Sequence, residues 1–245
     1  NNLRSANVKE EHRFRELAYA SQRMMTSDHV VSRIVGTTGE SILQTTAKLV
    51  DRYALFLSVI YVTLKCRVEV DVGILLDSSS SIKEWAVVVN ATSEFVSVLK
   101  NQNVSVLFGV VLYANRPQIF RHFNQPVTVE DIRRLARISG GTQTDLGLNT
   151  MKQDIFKERN GDRKRVKNVC VVFTAGESND RKATVSAASS LKAENVEIYT
   201  VGVEKANMEE LEAISTSKKH VFFTHEIRDL TQALYGTLKA ICPDA

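Results

Sequence analysis

The stretch Val68-Glu69-Val70-Asp71-Val72-Gly73-Ile74-Leu75-Leu76, continued by Asp77-Ser78-Ser79-Ser80-Ser81 and then by Ile82-Lys83-Glu84-Trp85, decides the fold. Its first part alternates and then closes on three apolar residues, the pattern of a strand buried in a sheet. Beyond the polar loop, residues 82–99 place Trp85, Val88, Val89, Thr92, Phe95, Val96 and Leu99 on one helical stripe. A strand that passes through a tight polar loop into an amphipathic helix is the opening unit of an α/β sheet.

The same alternation continues downstream. Residues 104–113, 168–174, 196–203 and 220–224 read as strands, and 118–123 as an edge strand because Pro117 stands just before it. Residues 129–138, 146–156, 181–193, 208–214 and 227–241 read as helices. The expected fold is α/β: a doubly wound, mainly parallel, Rossmann-like sheet flanked by helices, with its site at the carboxyl ends of the strands. Upstream, residues 1–65 form an N-terminal extension, helical over 8–25, after Ser27 or Asp28, and over 40–50, with no chemical motif. The apolar run 53–64 is open to three readings. It suits a buried helix, a strand, or a signal-peptide core with Lys48 and Arg52 as its basic flank.

Composition excludes some classes. A net charge of +4 on 245 residues implies no nucleic-acid partner. The one basic cluster, Lys157, Arg159, Arg163, Lys164, Arg165 and Lys167, reads as a solvated loop, because no aromatic residues interleave for base stacking. No run reaches the ~20 apolar residues of a membrane-spanning helix.

Chemistry concentrates in three loops. Asp77, Ser79 and Ser81 alternate, and a tight loop can turn their oxygens toward one point. One carboxylate and two hydroxyls suit a hard, oxygen-seeking cation such as Mg²⁺. The second loop is Gly140-Gly141-Thr142-Gln143-Thr144-Asp145, and the third is Thr174-Ala175-Gly176-Glu177-Ser178. Plainer roles stand beside these. Asp77 can serve as an acceptor for loop amides, Ser81 and Glu84 as a capping box, Thr142 as a turn residue, and Thr144 as a helix cap. Trp85 reads as core, and the five histidines show no metal-ligand spacing.

Residues 66–242 resemble a von Willebrand factor type A domain. The resemblance rests on Asp77, Ser79 and Ser81 as DxSxS, on the glycine-paired loop from Gly140 to Thr144, and on the third loop through Ser178, in the family's order. It implies a metal-ion-dependent adhesion site in which Asp77, Ser79, Ser81 and Thr142 approach Mg²⁺ or Mn²⁺. Thr144, Asp145, Gly176 and Glu177 would then lie around that shell or touch the ligand. The family's usual third-loop Asp is Ala175 here, so the site loses a carboxylate and weaker metal binding is expected; Glu177, Asp180 and Asp145 are the candidate substitutes. The resemblance implies an extracellular or matrix protein ligand, collagen-like proteins among them, recognised through an acidic side chain. A metal-independent structural or assembly module of the matrix is the alternative.

Cys66 and Cys242 bracket this domain, and in a parallel α/β sheet both fall at the end away from the site, so a disulfide is expected, with two free thiols as the alternative. The sequons at Asn90 and Asn103 agree with a secreted, oxidising location. No enzymatic activity is expected. A phosphatase of the haloacid-dehalogenase type needs a second Asp where Ser79 stands, and no phosphate loop or nucleophile elbow is present.

Overall fold

Strand β1 (Val70–Asp77) is buried along its whole length and lies between two parallel neighbours, β2 (Val106–Tyr113) and β4 (Lys167–Thr174). This computed structural model describes residues 69–102 and 105–242, all within the unit Leu64–Ala245. The expectations for residues 1–65, for Cys66 and for Asn103 lie outside the described residues. With β3 (Pro117–Arg121), β5 (Val196–Val203) and β6 (Val221–Thr224), the sheet has the order β3-β2-β1-β4-β5-β6. Only β3 runs antiparallel, and it takes the edge, where Pro117 costs no interior ladder bond.

The chain leaves β1 through α1 (Trp85–Lys100) to reach β2 on one side. It later crosses through α3 (Thr144–Thr150) to reach β4 on the other. Right-handed crossovers in opposite directions put their helices on opposite faces. Accordingly α1 packs with α6 (Leu230–Ile241), and α3 with α4 (Arg181–Lys192). On the second face Leu75, Val111 and Val172 meet Leu148, Met151, Ile155 and Leu191 in one core cluster. The loops that follow β1 and β4 therefore part at the carboxyl edge of the sheet and leave a crevice between them. α5 (Met208–Ile214) follows β5 at that same edge. Among the described residues no helix is long and apolar enough to cross a membrane.

Two predicted helices are redrawn. The helix expected over 129–138 is only α2 (Val129–Arg133), and 134–143 is a loop. The chain leaves the helix at Arg134, and the Ile138 amide donates to the Ser78 hydroxyl of the first loop instead of to a carbonyl four residues back. The helix expected over 146–156 begins at Thr144, and its last turn, Met151–Ile155, widens into a π-helix. There Ile155 and Phe156 press on the glycines of β2 and β1: a Cβ on Gly109 would stand 2.4 Å from Ile155, and one on Gly73 would stand 2.8 Å from Phe156.

Five of the six residues of the basic cluster pair with acids within the fold. Lys157 pairs with Glu194, Arg159 with Asp154, Lys164 with Glu158 and Lys167 with Glu197. Arg163 reaches the amino end of β1, where its Nη2 lies 2.6 Å from the fully buried carboxylate of Asp71. It also donates to the carbonyls of Val70 and Ser105. This loop thus fastens the end of the sheet remote from the site. Arg163→Met leaves Asp71 ionised and buried without its cation. The expected loss is about 3 kcal/mol of unfolding free energy, measured by urea denaturation; a change within error would show that the pair is not structural.

Candidate functional site

The first loop is organised by Asp77, the last residue of β1, which is fully buried. Its Oδ1 accepts the amide of Ser79 at 2.8 Å. Its Oδ2 accepts the Thr174 hydroxyl at 3.0 Å and the Ala175 amide at 3.3 Å. A single carboxylate thus ties the loop after β1 to the loop after β4. The hydroxyl oxygens of Ser79 and Ser81 stand 2.5 Å apart, so the two side chains converge. Ser79 is buried, while Ser81 opens to solvent. Ser81 does not form the capping box with Glu84, since Glu84 is itself the N-cap of α1 and no side chain caps that end.

The second loop is stitched to the first. Ser80 exchanges two bonds with Gly140: its amide donates to the glycine carbonyl, and its hydroxyl accepts the glycine amide, each at 2.9 Å. The Ile138 amide donates to the Ser78 hydroxyl at 2.7 Å, and the Ser139 amide to the Ser78 carbonyl at 2.9 Å. Arg137 donates twice to the Ser79 carbonyl, at 3.1 and 2.8 Å. The paired glycines are required by space. A Cβ on Gly140 would lie 2.6 Å from Asn115, and one on Gly141 would lie 2.7 Å from Asn179. Asn115 accepts the Gly141 amide at 2.7 Å. Asn179, from the third loop, accepts the Thr142 amide at 3.1 Å and donates its own amide to the Thr142 carbonyl at 2.9 Å.

Thr142 and Thr144 are both buried. Thr144 is the first residue of α3 rather than its cap. Burial, and then the charge of Asp77, push the Tyr113 phenol well above its ordinary range. Tyr113 therefore stays neutral and donates to the Phe173 carbonyl at 3.3 Å. Trp85 is not a core residue: it is half-buried, and its Nε1 donates to the Leu135 carbonyl at 2.7 Å, bracing the loop that leads to Arg137.

The third loop lacks a carboxylate at its tip. The Ala175 methyl is buried beside Asp77, and Gly176 lies against Ser81. Two of the expected substitutes are engaged elsewhere. Glu177 is exposed and accepts from Asn207 at 2.6 Å, and Asp180 caps α4 by accepting the Ala183 amide at 2.9 Å. The third, Asp145, keeps a buried Oδ1 without a hydrogen-bond partner among the described residues, as does the Ser178 hydroxyl. A buried oxygen in that state needs water or a cation to satisfy it.

The donor set accordingly fits a hard cation in kind: one carboxylate, converging hydroxyls, and unpartnered oxygens in the two neighbouring loops. The third loop adds no carboxylate at its tip, where Ala175 stands.

Sequence reasoning missed Asn115, Asn179, Arg137 and Glu210. Glu210 is buried, and both its oxygens accept the Ser178 amide, at 3.2 and 3.3 Å. Asn115 could have been found, since it follows a strand at the carboxyl edge where sites collect. Asn179 directly follows the third loop and Arg137 stands just before the second, but neither belongs to a motif, and Glu210 comes from a separate helix. Asn90 is exposed on α1, Cys242 is buried at the end of α6, and Cys170 is a free thiol inside β4, where burial pushes its pKa up.

The model of the von Willebrand factor type A domain matches residues 71–235. The collagen alpha-5(VI) chain of Homo sapiens is 28% identical over 183 residues, which are 71% of this chain and 7% of that protein. Integrin alpha-1 of Gallus gallus is 29% identical over 178 residues, covering 64% of this chain and 61% of that one. Among solved structures, proximal thread matrix protein 1 from the mussel byssus superposes with a TM-score of 0.68 at 26% identity, over 74% of this chain and 50% of its own. Another structure of that mussel protein, described as having a zinc-occupied MIDAS motif, gives a TM-score of 0.66 at 24% identity. This chain therefore spans only part of the relatives it matches.

The loop geometry makes a direct forecast. Gly140→Ala must hold a Cβ at φ 123° against Asn115, a strain of about 2 kcal/mol. The melting temperature should fall by roughly 5 °C, with faster amide exchange at residues 138–142. An unchanged melt and exchange pattern would mean that the turn relaxes freely.

Proposed function

This chain belongs to the von Willebrand factor type A domain family, and from that premise we propose that residues 66–242 act as an extracellular, non-enzymatic recognition module for a matrix protein. The observation that carries the reading is the junction at Asp77, where one buried carboxylate joins two loops beside converging hydroxyls. Asp77, Ser79, Ser81 and Thr142 would hold Mg²⁺ or Mn²⁺. When bound, the ion supplies a positive charge to an acidic side chain of the ligand. The chain's own residues do the rest. Thr174 and the amides of Ser79 and Ala175 fix Asp77, and the Gly140–Ser80 and Thr142–Asn179 bonds hold the loops in register. Relatives named collagen VI chains, integrin alpha-1, vitrin and matrilin-4 support a role in adhesion or matrix assembly.

The second reading is a metal-independent matrix module. The methyl of Ala175 favours it, because a lone carboxylate attracts a divalent ion less than two do.

Calorimetric titration of Mg²⁺ and Mn²⁺ separates the two. Binding to the native chain, lost in Asp77→Ala, is the expected result for the cation-dependent reading. Heat appearing only in Ala175→Asp would favour the metal-independent module and would set aside the bound ion.

Secretion also implies the Cys66–Cys242 disulfide and a glycan at Asn90 or Asn103. Thiol labelling of the unfolded chain without reductant should then modify Cys170 alone, and reduction should expose all three cysteines. Three labelled thiols before reduction would refute the disulfide. In the folded protein Cys170 should resist alkylation, being fully buried.

A further inference from the structure

Arg137 has no anionic partner among the described residues, although the two other half-buried arginines described both do. Arg121 pairs with Asp131, and Arg163 with Asp71. Arg137 is half-buried at the candidate site itself, and its Nε and Nη2 are fixed on the Ser79 carbonyl. The amide of that same Ser79 donates to Asp77, so one residue separates the guanidinium from the site's carboxylate. A cation held there opposes binding of a second cation and attracts an anion. The third loop carries no acid at Ala175 that would neutralise it.

The surroundings suit a protein ligand. The exposed large hydrophobic side chains of the described residues are Ile138, Leu146 and Met208. Ile138 follows Arg137, Leu146 lies in the first turn of α3 just past the second loop, and Met208 opens α5 beside Asn207, which holds Glu177. All three therefore belong to segments at the carboxyl edge of the sheet.

We infer that Arg137 is a built-in cationic anchor of this site: its guanidinium takes an acidic side chain of a protein ligand, with apolar neighbours of that side chain resting on the rim. A planar guanidinium already oriented by two bonds loses little freedom when it pairs with a carboxylate. Binding then proceeds without a divalent ion, and a bound ion adds to it. The inference rests on the proposed reading that this end of the sheet receives an acidic ligand residue.

The test uses the full chain in EDTA, titrated with N-acetyl-Leu-Glu-Leu-amide and with its Gln counterpart, and followed by NMR at the Arg137 Nε–H and the amides of Ser79 and Gly140. The Glu peptide should shift these signals and the Gln peptide should bind at least about tenfold more weakly, as expected for loss of a charge-assisted pair. Arg137→Gln should weaken the Glu peptide by a similar factor, and Arg137→Lys, which keeps the charge but not the oriented planar fork, should bind it with intermediate affinity. Added salt should weaken binding. If Arg137→Gln disturbs the fold, the Glu and Gln peptides on the native chain and on Arg137→Lys still decide the matter. No response of the native chain to the Glu peptide in EDTA would overturn the inference, as would equal binding by a folded Arg137→Gln. The metal titration is independent: a chain that binds the Glu peptide in EDTA but no Mg²⁺ would refute only the metal ion.

Discussion

The buried carboxylate of Asp77 is the constraint on which the site depends. An ionised group with no solvent exposure must be met by donors, and the chain supplies them from two directions: the Ser79 amide within its own loop, and the Thr174 hydroxyl and Ala175 amide from the neighbouring strand. That requirement ties the start of the loop after β4 to the end of β1, beyond the last ladder pair. It also fixes the conformation of the serine run, because an amide two residues on can reach the carboxylate only if the loop turns at once. The convergence of Ser79 and Ser81 follows from that turn. The neutral phenol of Tyr113 beneath the carboxylate closes the floor without adding charge.

The two ends of the sheet handle charge differently. At the amino end Arg163 meets Asp71, and Lys157, Lys164 and Lys167 each pair with a glutamate, so most of the charge at that end is compensated. At the carboxyl end Asp77 accepts the Ser79 amide and Arg137 donates to the Ser79 carbonyl without the two forming an ion pair, and the third loop presents the methyl of Ala175. The compensated end holds the scaffold; the open end keeps polar groups for a partner. The same division explains the glycines. Gly73 and Gly109 lie inside the sheet to admit Phe156 and Ile155, whereas Gly140 and Gly141 lie at the edge so that Asn115 and Asn179 can approach the backbone.

Much of this was legible in the sequence, because it depends on local pattern. The alternation of apolar strands with striped helices specified a doubly wound sheet, and strand 196–203 and helix 208–214 fall where the periodicity set them. DxSxS followed at the right distance by a glycine pair and a third polar loop indicated one site at the carboxyl edge, and the absence of an acid at Ala175 was visible directly. The helix expected over 129–138 failed because hydrophobic period says nothing about a backbone drawn out by tertiary hydrogen bonds, as 137–140 is by Ser78, Ser79 and Ser80. Ser81 and Thr144 likewise have the chemistry of caps, and only the loops packed against them decide that they do not cap.

The sequence by itself determined the fold class, the three loops and the kinds of oxygen they carry, since each follows from residue type and short-range spacing. Tertiary structure alone decided which groups meet. It brought Thr174 to Asp77, Asn179 to Thr142 and Arg137 to Ser79, across separations of 97, 37 and 58 residues. Contacts between segments so far apart in the chain depend on strand order and loop path, which no local pattern encodes.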